Sequence, residues 1–332
     1  MDDRTSLATP LPSDVQAREP SSHLSISRVG VTGVQQVIRI GTSDHEQLFY
    51  AELDCFVDLG PKQKGAHMSR FEEIVEEAIE EVVLREAFKA EILAAHIAER
   101  IRDSQGGLRA EVRLAARYPE NKPAPVSGIQ TQEIYRLLAS AVASERGTRR
   151  LIGVEAHGMT ACPCAQELLA DRARARLDEQ GYGPDEVERI LEAVPVATHN
   201  QRGIGTLHVG CPETCSSEIE AATLLRIVEE SMSSEIYELM KRSDEAHVVE
   251  KAHRRPRFVE DCAREMVRMA VDEYEHLGED VFVSARQQNL ETIHQHDVVA
   301  ERHGLLGDLA RELHGEEHTA RHITMRDWLE GA

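Results

Sequence analysis

Twice along this chain the same order of residue patterns appears: β-rich runs, then helical spacing, then β-rich runs again. In the first pass, residues 25–40 (SISRVGVTGVQQVIRI) and 47–59 (QLFYAELDCFVDL) are dense in Val, Ile, Phe and Tyr and predict two strands. Between Arg70 and Ile101, the apolar residues Ile74, Ala78, Val82, Ala87, Ile92 and Ile97 recur at helical spacing over more than one helix. Residues 108–118 predict a strand, and 134–144 (IYRLLASAVAS) fit strand or helix. In the second pass, 151–160 and 206–211 predict strands, 218–242 and 258–277 amphipathic helices, and 281–288 a strand. The order predicts an α+β protein of two similar halves, each a sheet with helices on one face. The divisions expected are a polar disordered tail (1–25), a first unit (26–150), a second unit (151–300) and a partly helical C-terminal extension (301–332). Residues 167–194 interrupt the second unit as a polar pair of short helices, broken at GYGPDE where Gly, Pro and Asp end one helix and cap the next.

Composition narrows the function classes. No apolar run approaches the ~18 residues that span a bilayer, and the N-terminus lacks a basic-then-apolar signal pattern. A cytoplasmic protein without a membrane segment is expected. The net charge of −21 argues against nucleic-acid binding, because an acidic surface repels phosphate backbones. Lys occurs only at 62, 64, 89, 122, 241 and 251, so Arg carries most of the basic charge. Such a surface fits salt adaptation or a GC-rich genome equally well. The six cysteines (55, 162, 164, 211, 215 and 262) are expected as metal ligands, reactive thiols or buried hydrophobes, since disulfides are rare inside cells.

Gly158-Met-Thr-Ala-Cys162-Pro-Cys164 carries the strongest chemical signal. Pro163 fixes the backbone between two thiols and excludes a central strand, which predicts a loop at a strand end. One reading joins Cys162 and Cys164 to Cys211 and Cys215 in a structural zinc knuckle. A catalytic ion would instead need fewer thiolates, an imidazole and an open position. His199 lies in the polar run Thr-His-Asn-Gln-Arg, poor core material. His294 and His296 share one face if that segment is extended. Lys241 to Glu245 reads as the end of a helix, and Glu260 and Asp261 as the start of the next. Lys64, His67 and Arg70 form a basic loop suited to phosphate.

Together, KGAHMSRF, APVSG, CPC, HNQR, KRSDE, RFVED and the E-x-I-H-x-H run occur in order from residue 64 to 296. The chain thereby resembles the prokaryote-specific type IB GTP cyclohydrolases, and through its GMTACPCAQ and ATHNQRG stretches and the intervening helices their archaeal, MptA-type branch. The resemblance implies the tunnelling fold, with two tandem units per subunit and antiparallel sheets. It implies a metal site of Cys162, His199, Glu245 and His294 holding one Fe2+ per subunit, with Zn2+ or Mn2+ as substitutes. It further implies Cys164 facing substrate, His199 or His296 shuttling protons and Glu260 anchoring the guanine. Lys64, His67, Arg70 and Lys122 would meet the phosphates of GTP. The implied reaction yields 7,8-dihydroneopterin 2′,3′-cyclic phosphate, formate and pyrophosphate, opening pterin synthesis in a homodimer or higher oligomer. A bacterial-like enzyme retaining the triphosphate, and a non-catalytic zinc protein of the same fold, are the alternatives.

Overall fold

The computed structural model describes residues 15–16, 18–42, 45–83, 89–215, 219–315 and 322–331. Residues 1–14 and 17 of the expected tail, and Ala87, lie outside these described residues. Period-two side-chain alternation turns both β-rich runs of the first half into long strands, β1 (Ile26–Thr42) and β2 (His45–Leu59). Helices α1 (Met68–Val83) and α2 (Ala90–Gln105) follow, then β3 (Arg109–Pro123) and β4 (Gln130–Ser144). In β4, Glu133, Tyr135, Leu137, Ala139 and Ala141 are buried while Gln132, Ile134 and Arg136 are exposed. That alternation decides the ambiguous 134–144 run in favour of strand.

The second half repeats the plan with additions. Strand β5 (Gly147–Ala161) leads into α3 (Pro163–Glu179) and α4 (Pro184–Ala193), and β6 (Asn200–Cys211) returns to the sheet. Then come α5 (Ala221–Ser231), the short β7 (Ser234–Glu235), α6 (Arg242–Arg254), α7 (Val259–Tyr274), β8 (Phe282–Leu290), β9 (Val298–Leu305), α8 (Leu306–Leu313) and α9 (Met325–Glu330). The sheet order is β1-β2-β3-β4-β5-β6-β8-β9, antiparallel throughout, with β7 on β5. The two halves are therefore one sheet, joined by the β4–β5 ladder from Arg136↔Glu155 to Ser144↔Gly147. Helices α2, α5 and α7 pack on one face over Leu53, Val112, Leu137, Val154, Leu207 and Val283. This is the tunnelling fold. Among the described residues no helix is long and apolar enough to cross a membrane.

Two elements differ from expectation. The helix expected over 218–242 stops at Ser231, where Met232 turns extended (φ −87°, ψ 175°). The Met232 thioether packs against the side-chain-free backbone of Gly158 and Gly203, and Ser233 Oγ accepts the Ala161 N–H at 3.2 Å. Tertiary contacts thus override a run with fair helical pattern. Strand β9 was not anticipated and runs across residue 300.

Antiparallel register gives the sheet two ends. Leu59, Arg109, Ser144, Gly147 and Cys211 lie at one; Pro123, Gln130, Ala161 and Asn200 lie at the other. Strand β5 spans 15 residues, which at ~3.3 Å per residue separates the ends by about 45–50 Å. At the outer edge the β1–β2 ladder slips register twice, between Ile26 and Val29 and between Val31 and Val34. Gly33 takes φ +69° at the second slip, and its N–H donates to Asp54 at 2.9 Å.

The C-terminal α9 covers the opposite face of the sheet. Trp328 is 3% exposed and stacks on Phe282 at 5.6 Å between ring centroids, beside Val142, Leu151 and Leu329. Its indole N–H donates to Asp280 O at 3.3 Å, and a Cβ at Gly210 would come within 2.9 Å of its ring. Arg149 lies over the indole and donates to the Trp328 carbonyl. Trp328→Ala is expected to cost about 3–5 kcal/mol of unfolding free energy. Urea unfolding checks this; a loss under ~1 kcal/mol would show that α9 is not part of the cooperative core.

Candidate active site

Cys162 and His199 meet where β5 and β6 end. Cys162 follows the last residue of β5 and caps α3; Pro163 takes the first helical position, where its missing N–H costs nothing. The CPC run is therefore a strand-to-helix junction rather than the loop expected, and Cys164 is exposed in the first turn of α3. The Cys162 N–H donates to His199 O at 3.1 Å, and Thr198 Oγ1 donates to Cys162 O at 3.0 Å. The His199 imidazole is mostly buried, and its Nδ1 is buried without a hydrogen-bond partner. Glu291 Oε2 lies 3.9 Å from that nitrogen, on a side chain only 7% exposed. Sequence reasoning quoted Glu291 within its motif and gave it no role; its spacing three residues before His294 was the available signal.

The segment after Glu291 is a bend, not a strand. Asp297 accepts the Glu291 N–H at 3.3 Å and the Gln288 side-chain amide at 3.2 Å, closing the turn. Thr292 Oγ1 donates to Asn200 O at 3.1 Å and ties the bend to the start of β6. His294 and His296 are exposed on it, with rings stacked at 5.1 Å. The shared strand face expected for them is replaced by ring stacking.

KRSDE begins a helix rather than ending one. Asp244, fully buried, accepts the Val126 and Ser127 N–H groups at 2.8 Å each. It also accepts Ser127 Oγ at 2.7 Å and the Lys241 N–H at 2.9 Å. Burial alone would raise its pKa, but the bonds from Ser127, Lys241 and Val126 outweigh it and hold the carboxyl well below the usual range. APVSG and KRSDE are thus two halves of one structural joint, and the expectation that the acids merely followed a helix missed Asp244. Glu245, next in sequence, is exposed in the first turn of α6. Glu260 is exposed in the first turn of α7, whose approach is fixed by the Arg257 N–H donating to Ala161 O at 3.0 Å.

The other end of the sheet holds the remaining candidates. Lys64, His67 and Arg70 sit where β2 enters α1; Lys64 N donates to Arg18 O, and the Gln105 side chain brackets the His67 backbone with two 3.0 Å bonds. His67 and Arg70, with Lys62, line a cleft of about 630 Å³. By strand register they lie about 45–50 Å from Cys162 within one chain, well beyond the reach of one nucleoside triphosphate. Lys122 lies at the Cys162 end but is engaged: its Nζ is 2.6 Å from Glu229 and 4.4 Å from the Tyr237 ring centroid. Cys211 and Cys215 are at the far end of β6, so the four-cysteine knuckle is excluded. Burial pushes the thiols of Cys55, Cys211 and Cys262 up to about 12, with Asp54 adding to the first and Cys215 to the second, as expected of inert core thiols.

A thiol, an imidazole with an unpartnered buried nitrogen and a shielded carboxylate suit a borderline divalent cation. Among the described residues no three His, Cys, Asp or Glu side chains converge closely enough in one chain to hold it. Comparison with known proteins places these features. The family model described as type I GTP cyclohydrolase folE2 matches residues 13–300. GTP cyclohydrolase MptA of Methanococcus aeolicus is 41% identical over 90% of this chain and 99% of its own length. The protein of the same name from Methanocaldococcus jannaschii is 37% identical over 90% and 97%. A crystal structure of uricase from Arthrobacter globiformis is similar in fold alone, with TM-score 0.51 at 6% identity over 91% of this chain and 96% of that one.

The Asp244 joint has a sign that can be measured. A depressed carboxyl contributes stability that is present above the unfolded aspartate value of about 4 and is lost as pH falls toward the folded value. Asp244→Asn is expected to lower Tm at pH 7, with the gap to wild type narrowing between pH 5 and 2. A pH-independent gap would contradict the joint.

Proposed function

Because the chain belongs to the type I GTP cyclohydrolase folE2 family, we infer that the Cys162–His199 corner is where it opens the imidazole ring of GTP. The enzyme is a GTP cyclohydrolase. The observation that carries the assignment of the site is the buried His199 Nδ1, without a hydrogen-bond partner, facing Glu291 at 3.9 Å on a segment whose backbone is tied to Cys162. Guanine C8 accepts a water nucleophile once the ring is polarised, and a base must take up the proton; His199 sits at the corner, and His296 lies exposed at the same end of the sheet. Cys162 and His199 would hold Fe2+, and Glu245 and His294, exposed at the same end of the sheet and not converged with them in one chain among the described residues, would have to move in to complete the set. Bound there, the ion supplies Lewis acidity that makes water nucleophilic near neutral pH. Cys164, exposed one turn into α3, faces the substrate.

Two carboxylates compete for the guanine. The resemblance assigns Glu260, which is exposed at a helix N-terminus, where a carboxylate contributes about 0.3–1 kcal/mol through the dipole. The geometry favours Glu291, whose shielded charge is completed by two donors, as guanine N1–H and its exocyclic amine provide. Glu291→Gln is expected to lower kcat/KM for GTP by about 2–4 kcal/mol, roughly 30- to 1,000-fold. Glu260→Gln is expected to stay within about threefold, at the size of a dipole effect. The reverse pattern restores Glu260. Cys162→Ala should lose bound Fe2+ and ring opening together, by metal analysis and formate release.

The distance between the phosphate cleft and the Cys162 corner supports a shared site. Lys64, His67 and Arg70 of one copy serve the corner of another, so the working unit is at least a homodimer. Mixing Arg70→Ala with Cys162→Ala, each inactive alone, should restore about a quarter of wild-type activity in a randomly mixed dimer. No restoration would place both groups in one chain's function or remove Arg70 from it. The product is 7,8-dihydroneopterin 2′,3′-cyclic phosphate, feeding tetrahydromethanopterin or folate synthesis. The α3–α4 insertion and the identity to MptA proteins support this over the triphosphate product. Mass analysis of the product from GTP and Fe2+ without oxygen decides; a retained triphosphate overturns it.

A further inference from the structure

The sequence reads residues 167–194 as a polar pair of helices interrupting the second unit, yet α3 begins before them and reaches directly into the segment that carries His199. The Gln166 side-chain amide, one turn into α3, donates to Val196 O at 2.7 Å and to His253 O at 2.6 Å. His253, 8% exposed near the end of α6, sets Nε2 3.3 Å from Thr198 O and Nδ1 2.8 Å from Val249 O. The next residue, Arg254, donates to Glu192 O and Ala193 O at the end of α4. Each carbonyl of Thr198, His199 and Asn200 is therefore met by a different element: α6 through His253, the cap of α3 through Cys162, and the β8–β9 bend through Thr292. The lead-in to His199 forms no strand of its own, so these side chains fix where the imidazole sits.

We propose that Gln166 and His253 are positioning residues for His199, holding residues 196–198 so that the first turn of α3, at the root of the insertion, is a working part of the catalytic site. The proposal rests on the reading that His199 takes part in ring opening. Gln166 alone bridges two carbonyls of different segments, α6 and the His199 lead-in, through one NH2 group. Replacing that group by a carboxylate keeps its shape and sets oxygens against two carbonyls. A shift of about 1 Å in a catalytic group commonly costs up to 100-fold in rate while leaving the rest of the substrate's contacts intact.

Steady-state kinetics with GTP, on the full-length Fe2+-loaded enzyme, tests this with Gln166→Glu, Gln166→Leu and His253→Gln, and Arg172→Ala as a control on the exposed face of α3. Expected are a 10- to 100-fold loss of kcat with KM changed less than about threefold, and Tm near wild type, for both Gln166 variants. Titration with Co2+ gives a second readout: the thiolate charge-transfer band should weaken or need at least tenfold more Co2+ in the Gln166 variants. Unchanged kcat, or a loss that appears equally in Arg172→Ala, overturns the proposal. If His253→Gln or a Gln166 variant fails to fold, the remaining Gln166 variant decides by the same split. Failure of the parent reading is distinguishable, because His199→Ala would then retain ring opening.

Discussion

The β4–β5 ladder is the contact on which the rest of the molecule depends. It fuses two β-β-α-α-β-β halves into one antiparallel sheet, and its register fixes which chain segments share an end. Cys162 meets His199 because the last residue of β5, Ala161, pairs with the first residue of β6, Asn200. A slip of one residue would turn every side chain of β5 to the other face, moving Val154 and Ala156 out of the core. The same ladder holds the basic cleft at α1 away from the corner. Site geometry here is a property of the whole sheet, and the side chains in it are local details on that frame.

Much of this was legible in the sequence where one physical cause dominated. Long β-rich runs became strands, Gly-Tyr-Gly-Pro split α3 from α4, and Cys162 with His199 stood out as polar chemistry at strand ends. What was not legible depended on partners distant in sequence. Asp244 looked like a solvated helix acid, but its partners Val126 and Ser127 are more than 110 residues away. Glu291 looked like the lead-in to two histidines until folding placed it beside His199. The early stop of α5 follows from Met232 filling the groove over Gly158 and Gly203, which no local propensity records. Lys122 read as a phosphate ligand because its charge was visible and Glu229 was not yet near it.

The scarce lysines and abundant arginines make different kinds of pair. Lys122 and Lys251 form close, partly shielded pairs with Glu229 and Glu235 toward the Cys162 end of the sheet. Arginine dominates the outer helix faces, where Arg268 spans Glu265 and Asp272 and Arg174 reaches Glu188 from α3 to α4. The planar fork suits such two-partner contacts, whereas an ammonium suits a single carboxylate over an aromatic ring.

The outer strand carries a further consequence. β1 is 17 residues long and ends the strand order among the described residues, so its outer side could pair with a passing β-segment. The two register slips, one of them at Gly33, bend and twist its first half, while Val34 to Thr42 pair with β2 without interruption. Irregularity thus blunts only the first half of this edge, and the regular stretch after it is where another β-segment would find a continuous row of backbone groups to pair with.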